Sequence, residues 1–178
     1  MKFSEDFLKE VNQHSGEHVQ LCFQCFKCTL GCPVTFAMDY FPHQLMRLVQ
    51  MGLKEKVLSS HAIWVCAACE TCTTRCPNHI DIARVIDTLR QMAIKQGKPA
   101  EKPIVAFHKA FLNSVRRHGK LNEWELMAEY KLRSTRFLDD LWLIPEMWKR
   151  KKLFLRIRGV HKKSEIKKIF KKAKAWNN

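Results

Sequence analysis

Residues 22–77 read CFQCFKCTLGCPVTFAMDYFPHQLMRLVQMGLKEKVLSSHAIWVCAACETCTTRCP. The stretch opens and closes on the same string, CxxCxxCxxxCP, at Cys22, Cys25, Cys28, Cys32 and Pro33, and again at Cys66, Cys69, Cys72, Cys76 and Pro77. The two copies use all eight cysteines of the chain. This is the bacterial-type ligand run for a [4Fe-4S] cluster, so two copies predict two clusters. Three thiolates two residues apart reach three corners of a cubane when the backbone loops tightly around it, and the fourth corner needs a distant thiolate. In two-cluster ferredoxins the fourth cysteine of each run serves the other cluster. The expected ligand sets are therefore Cys22, Cys25, Cys28 and Cys76 for cluster 1, and Cys66, Cys69, Cys72 and Cys32 for cluster 2. The proline after each fourth cysteine fixes φ and has no amide hydrogen, which ends the ligand loop.

Other uses of eight cysteines fit less well. Disulfides suit a small secreted chain, but no charged-apolar-small export signal opens this sequence, and Lys2 to Asn12 reads as an amphipathic helix. Two structural zinc sites could use paired CxxC spacings, yet the third cysteine in step and the CxxxCP ending are surplus to a tetrahedral site.

The motif alone does not choose a fold, because small βαββαβ ferredoxins carry it too. The 33 residues from Pro33 to Val65 do. Pro42 suits a first helical position, His43 to Met51 puts Leu45, Leu48 and Val49 on one face, and Gly52 is a stop. A short helix is expected over Leu53 to Ser60. Asp81 is an N-cap for Ile82 to Gln96, where Ile82, Val85, Ile86, Leu89 and Met92 recur at helical spacing before Gly97. Pro103 opens a helix that ends at Gly119, Asn122 caps Glu123 to Leu132, and Thr135 begins a turn or helix carrying Phe137, Leu138, Leu141 and Trp142. No alternating strand of convincing length occurs. The expected fold is all-α: an α-helical ferredoxin whose two cluster-binding loops are related by pseudo-two-fold symmetry, plus a C-terminal helical extension. The expected organisation is an N-terminal helix over 1–20, a di-cluster core over 21–97, C-terminal helices over 98–148 and a basic tail over 149–178.

The net charge of +15 is unevenly spread. Residues 149–174 hold 13 of the 32 Lys and Arg against Glu165 alone, so that segment carries +12 and the rest +3. No stretch approaches the 18 or so apolar residues of a membrane span. Cysteines reserved for clusters predict a reducing cytoplasm, with a peripheral position on the inner face of a membrane as the alternative.

From Leu21 to Gly97 the chain resembles the C subunit of heterodisulfide reductase, a two-cluster α-helical ferredoxin. The resemblance is carried by CFQCFKCTLGCPV, by MGLKEKVLSS, by AIWVCAACETCTTRCPNHIDI with its Ile63-Trp64-Val65-Cys66 approach, and by VIDTLRQMAIKQG. It implies an electron-transfer subunit without a small-molecule substrate or catalytic residues of its own. Such a subunit passes electrons between a flavin-bearing A subunit and a B subunit that carries out disulfide chemistry. Members often have Gly directly after the second cysteine of the first run, whereas Phe26 stands here, followed by Lys27.

Phe23, Phe26, Ile63 and Trp64 flank the ligands and either shield the clusters or belong to the core. Lys27 and Arg75 lie inside the ligand runs, where they either raise a potential by favouring the more negative reduced cluster or are solvated. His43, His61 and His79 are read as structural or exposed, since the cysteine count is complete. No nucleophile-base pattern or GxGxxG string is present. In the tail, Leu153, Ile157 and Val160 form one stripe and Ile166, Ile169, Phe170 and Ala173 another, on nearly opposite sides. Gly159 and the cap-like Ser164 therefore predict a broken amphipathic helix, its second part from Glu165 to about Trp176. The tail suits an acidic partner, an anionic membrane surface or plain solvation, and no specific nucleic acid. A stand-alone di-cluster ferredoxin or membrane-surface adaptor is the alternative function.

Overall fold

Every element among the described residues is helical, and no strand occurs among them. The computed structural model describes residues 5–97, 99–134, 145–146, 149–150, 160 and 162–176. The chain divides into two compact units, Met1–Glu101 and Lys102–Asn178.

The first unit contains α1 (Glu5–Ser15), α2 (Lys27–Leu30), α3 (Pro42–Gln50), α4 (Lys54–Leu58), α5 (Ala62–Val65), α6 (Thr71–Thr74) and α7 (Ile82–Lys95), with 3-10 turns at Val19–Leu21 and Thr35–Ala37. α7 organises its core. Ile82, Val85, Ile86, Leu89 and Met92 recur at helical spacing, and all five are buried. That face meets α1, α4 and α5, which contribute Phe7 and Val11, Val57 and Leu58, and Ile63 and Trp64. Each such side chain contributes about 1.5–3 kcal/mol when taken fully from water. On the other side, α3 buries Leu45, Met46 and Val49 and packs on α1, α2 and α4.

The expected caps and stops are present. Asp81 accepts from the Arg84 N–H at 3.0 Å at the start of α7, and Gly97, at φ +70°, ends it. Pro42 is the first residue of α3, and Gly52 follows that helix at φ +66°. The Leu53–Ser60 helix is shorter than expected, Lys54–Leu58: the Ser60 N–H bonds the Val57 carbonyl three residues back at 3.2 Å, and its hydroxyl turns to Asp39 at 2.8 Å. α1 runs to Ser15, past the expected Asn12 end. Gly16 at φ +72° supplies the left-handed stop, and Asn12 instead turns its side chain to the Val19 N–H at 3.1 Å.

The second unit contains α8 (Lys102–His118), α9 (Glu123–Ser134) and α10 (Lys163–Trp176). Asn122 caps α9 by accepting from the Trp124 N–H at 3.1 Å. α8 and α9 form an antiparallel hairpin. The Phe107 ring meets Tyr130 edge-on at 5.9 Å, Asn113 donates to Glu129 at 2.6 Å, and His118 pairs with Glu125 at 2.6 Å. α10 packs on α8. It begins at Lys163, so Ser164 lies inside its first turn and does not cap it as expected. The expected turn carrying Phe137, Leu138, Leu141 and Trp142, and the tail residues Leu153, Ile157 and Gly159, lie outside the described residues.

Candidate iron-sulfur site

The two cysteine runs fold alike. Counterparts in the two runs are 44 positions apart, and the backbone repeats at that interval: Gln24 and Ala68 have φ of 60° and 51°, Phe26 and Glu70 of 65° and 59°. Each left-handed pair leads into a four-residue helix, α2 or α6, and these two helices pack on each other. Left-handed residues alternating with ordinary ones draw successive N–H groups into a concave nest, a backbone shape that recurs at anion and iron-sulfur sites. The position after the second cysteine is one of them. Glycine adopts such a φ without strain, which gives the Gly common there a physical reason; Phe26 and Glu70 hold it at a cost.

The thiols gather across the two runs. Cys66, Cys69 and Cys72 line one narrow apolar pocket together with Cys32 from the other run, and Ala83 and Ile86 of α7 form part of its wall. Burial pushes the Cys72 thiol up to about 11, with the neighbouring Cys66 charge adding to the shift. Burial likewise raises Cys28, against a hydrogen bond from Thr29, and the charges of Cys22 and Cys25 add to it. Cys69 is lowered by its hydrogen bonds with the Thr71 hydroxyl and N–H. Thiolates crowded in this way repel one another, and an iron core supplies the positive charge that lets them all ionise. The donor set therefore fits a thiolate-ligated cluster, with all eight cysteines free to serve.

Side chains from the helices and their connections hold these loops in place. Gln50, the last residue of α3, donates to the carbonyls of Val19 at 3.1 Å and Cys22 at 2.8 Å. Arg90 of α7 donates to the carbonyls of Ile63 and Cys66. Asp39 accepts from the Ser60 hydroxyl at 2.8 Å and from the N–H groups of His61 and Ala62 at 2.9 and 2.7 Å, fixing the start of α5 just before Cys66. Burial acts against ionisation of its carboxyl, but these donors together outweigh it and hold the carboxyl below the ordinary range. None of these three residues has a role assigned from the sequence, although Arg90 lies within the VIDTLRQMAIKQG stretch.

The residues that flank the ligands in sequence divide. Ile63 and Trp64 are core, whereas Phe23 and Phe26 stand out in solvent. The Phe26 ring lies 4.1 Å from that of His43. His43 is structural: its Nδ1 is 2.7 Å from Thr29 Oγ1, its N–H donates to the same oxygen at 3.2 Å, and burial lowers its pKa, keeping it neutral. His61 pairs with Glu101 at 2.6 Å. Lys27 is exposed. Arg75 extends over its counterpart Gly31, where a Cβ would meet the Arg75 Cδ at 2.8 Å.

Residues 18–80 match the family model of a 4Fe-4S dicluster domain. The C subunit of the H2:CoB-CoM heterodisulfide,ferredoxin reductase of Methanothermobacter thermautotrophicus is 33% identical over 105 residues, 58% of this chain and 57% of the relative. The iron-sulfur C subunit of the CoB--CoM heterodisulfide reductase of Methanopyrus kandleri is 37% identical over 104 residues, 54% of each. The C subunit of the ferredoxin:CoB-CoM heterodisulfide reductase of Methanosarcina acetivorans is 40% identical over 99 residues, 56% of this chain and 40% of the relative. The chain is an iron-sulfur protein like the C subunits of heterodisulfide reductases. Its dicluster domain holds two [4Fe-4S] clusters. The chain spans about half the length of the curated relatives it matches. No described helix is long and apolar enough to cross a membrane.

Proposed function

We propose that this chain relays single electrons as the iron-sulfur subunit of a heterodisulfide-reductase-like complex, between a flavin-containing A subunit and a disulfide- and thiol-active B subunit. Cys22, Cys25, Cys28 and Cys76 hold one cluster, and Cys66, Cys69, Cys72 and Cys32 the other. The observation that carries this reading is the pocket in which Cys32 of the first run joins three cysteines of the second. The α2–α6 packing supports it, because it brings the two runs close enough to exchange their fourth cysteines. The clusters supply reversible one-electron chemistry. The residues of the chain supply the rest: the nests and thiols bind, Gln50 and Arg90 orient the first ligand of each run, and Ala83 and Ile86 line the pocket of Cys32, Cys66, Cys69 and Cys72 with apolar surface.

Contact with a protein partner is supported by apolar side chains left in solvent around the first run. Leu21, Phe23 and Phe26 are exposed, and Leu30 and Phe36 are 81% and 88% exposed. Among the counterparts of these five residues, Ile80 is buried and Glu70 and Thr74 are polar. Exposed apolar surface beside a redox centre is what a partner covers. An acidic partner also suits α10, which half-buries Ile166 and Phe170 and leaves Lys163, Lys167, Lys168, Lys171 and Lys172 in solvent.

The test is anaerobic purification of the chain alone and with its neighbouring A- and B-type subunits. About eight irons and eight sulfides per chain are expected, together with co-elution and reduction of the clusters through the flavin protein. Fewer than about seven irons would sink the two-cluster reading. A fully loaded chain that neither co-elutes nor accepts electrons would sink the complex.

A further inference from the structure

The two loop clamps occupy equivalent places but differ in charge. Gln50 is the ninth residue of α3 and Arg90 the ninth of α7, the helices that follow the first and second cysteine runs. Each donates to the same two carbonyls of its own half. Gln50 takes those of Val19 and Cys22, and Arg90 takes those of Ile63 and Cys66; Val19 matches Ile63, and Cys22 matches Cys66, at the 44-residue interval of the runs. A single helical task, holding the first ligand residue by its backbone oxygen, is done by a neutral amide in one half and by a permanent cation in the other.

We infer that Arg90 is a positioning residue that also raises the reduction potential of the cluster next to Cys66, making the two clusters electrostatically unequal. The inference rests on the two-cluster reading above. Reduction adds a negative charge, which a nearby cation favours, and cluster potentials respond to local charge and exposure. Arg90 is half-buried and bonded to the ligand residue itself, so water and salt screen it less than the other charges of the loops. Those others run in the opposite sense: Lys27 lies in the first run and Glu70 in the second. Both are solvent-exposed, where counterions weaken them over about 8 Å at physiological ionic strength. Arg75 projects from the second run over Gly31 of the first, so it belongs to neither half alone.

The experiment is an anaerobic redox titration of the full chain followed by electron paramagnetic resonance, with the parent, Arg90→Gln, Arg90→Lys and Gln50→Lys compared. The expected result for Arg90→Gln is a fall of roughly three- to tenfold in the reduction equilibrium constant of one cluster, the one lost in Cys69→Ala, with the other unmoved. A tenfold change corresponds to about 59 mV for a one-electron couple. Arg90→Lys, which keeps the charge but not the two-pronged grip, retains most of the parental value, and Gln50→Lys raises the other cluster alone. Equal shifts in Arg90→Gln and Arg90→Lys, movement of both clusters together, or no movement would overturn the inference. If Arg90→Gln fails to retain iron, Gln50→Lys decides, and an unmoved potential there overturns the inference. A parent chain deficient in iron is a separate outcome: it refutes the two-cluster reading on which the inference rests.

Discussion

Removing single cysteines in pairs tests whether the fourth ligand of each run crosses to the other cluster. At least 33 residues of chain separate Cys32 from Cys66, Cys69 and Cys72, yet the four share one pocket. Cys22 and Cys25 are likewise near enough to act on the Cys28 thiol, and both raise it. Cys32→Ala should therefore lower the iron content from about eight to about four, and so should Cys69→Ala, because both strip the same cluster. The double variant Cys32→Ala with Cys69→Ala should still hold about four, whereas Cys32→Ala with Cys25→Ala should hold almost none. Iron and acid-labile sulfide on anaerobically purified protein give the counts, and paramagnetic resonance of the reduced protein shows whether the surviving signal is the same one. The reverse pattern, four irons kept in the Cys25 double variant and none in the Cys69 double variant, would mean that each run supplies all four ligands of its own cluster.

Four further outcomes follow from particular contacts. Asp39→Ala removes the acceptor for the Ser60 hydroxyl and the His61 and Ala62 N–H groups, and should cost about 1 kcal/mol in anaerobic denaturant unfolding. Because the Asp39 carboxyl is held low, its contribution is complete above the ordinary aspartate pKa and is lost only as pH falls through the lowered value, so the gap to the parent should be flat from pH 6 to 8. A gap that grows or shrinks across that window refutes the assignment. Glu70→Gly relieves a left-handed φ of 59° and should stabilise by about 0.5 kcal/mol, whereas Phe26→Gly also forfeits the ring packed on His43 and should gain less or nothing in the same assay. Gly119→Ala drives a Cβ into Val160 Cγ2 and places it 2.6 Å from Ile166 Cδ1 at φ +79°; a loss of about 1–3 kcal/mol should appear as faster proteolysis around α10, with iron content unchanged. Chelating the iron should reduce the helical circular dichroism of the chain, and an apo form with the full signal would show that the loops fold without their clusters.

What could be read from the sequence was whatever repeats at short range. The cysteine spacing pointed to the cofactor, and the apolar period of Ile82, Val85, Ile86, Leu89 and Met92 to the helix that forms the core. The clamps were not legible because they depend on which backbone atoms lie opposite a helix end, and no periodicity encodes that. A four-residue offset also hides them: the runs repeat every 44 residues, but α3 and α7 begin 40 apart, so Gln50 and Arg90 do not align when the cysteines do. The connection after the first run is longer by about one helical turn. The short helices α2, α5 and α6 were hidden too, since four residues are too few to show a helical period.

The departures between the halves fall at matched backbone positions: Phe26 against Glu70, Gly31 against Arg75, Gln50 against Arg90. Interiors and ligands cannot drift apart freely, because both halves must close the same cysteine loop and share the α2–α6 contact. Side chains at the rim of each loop are under no such constraint. Gly31 shows how one half accommodates the other, since its missing Cβ leaves the space that the Arg75 side chain occupies. Two equal clusters would give an electron no preferred resting place within the chain. Unequal charge around like loops supplies one without altering the ligands, and the half-buried Arg90 is the difference that solvent weakens least.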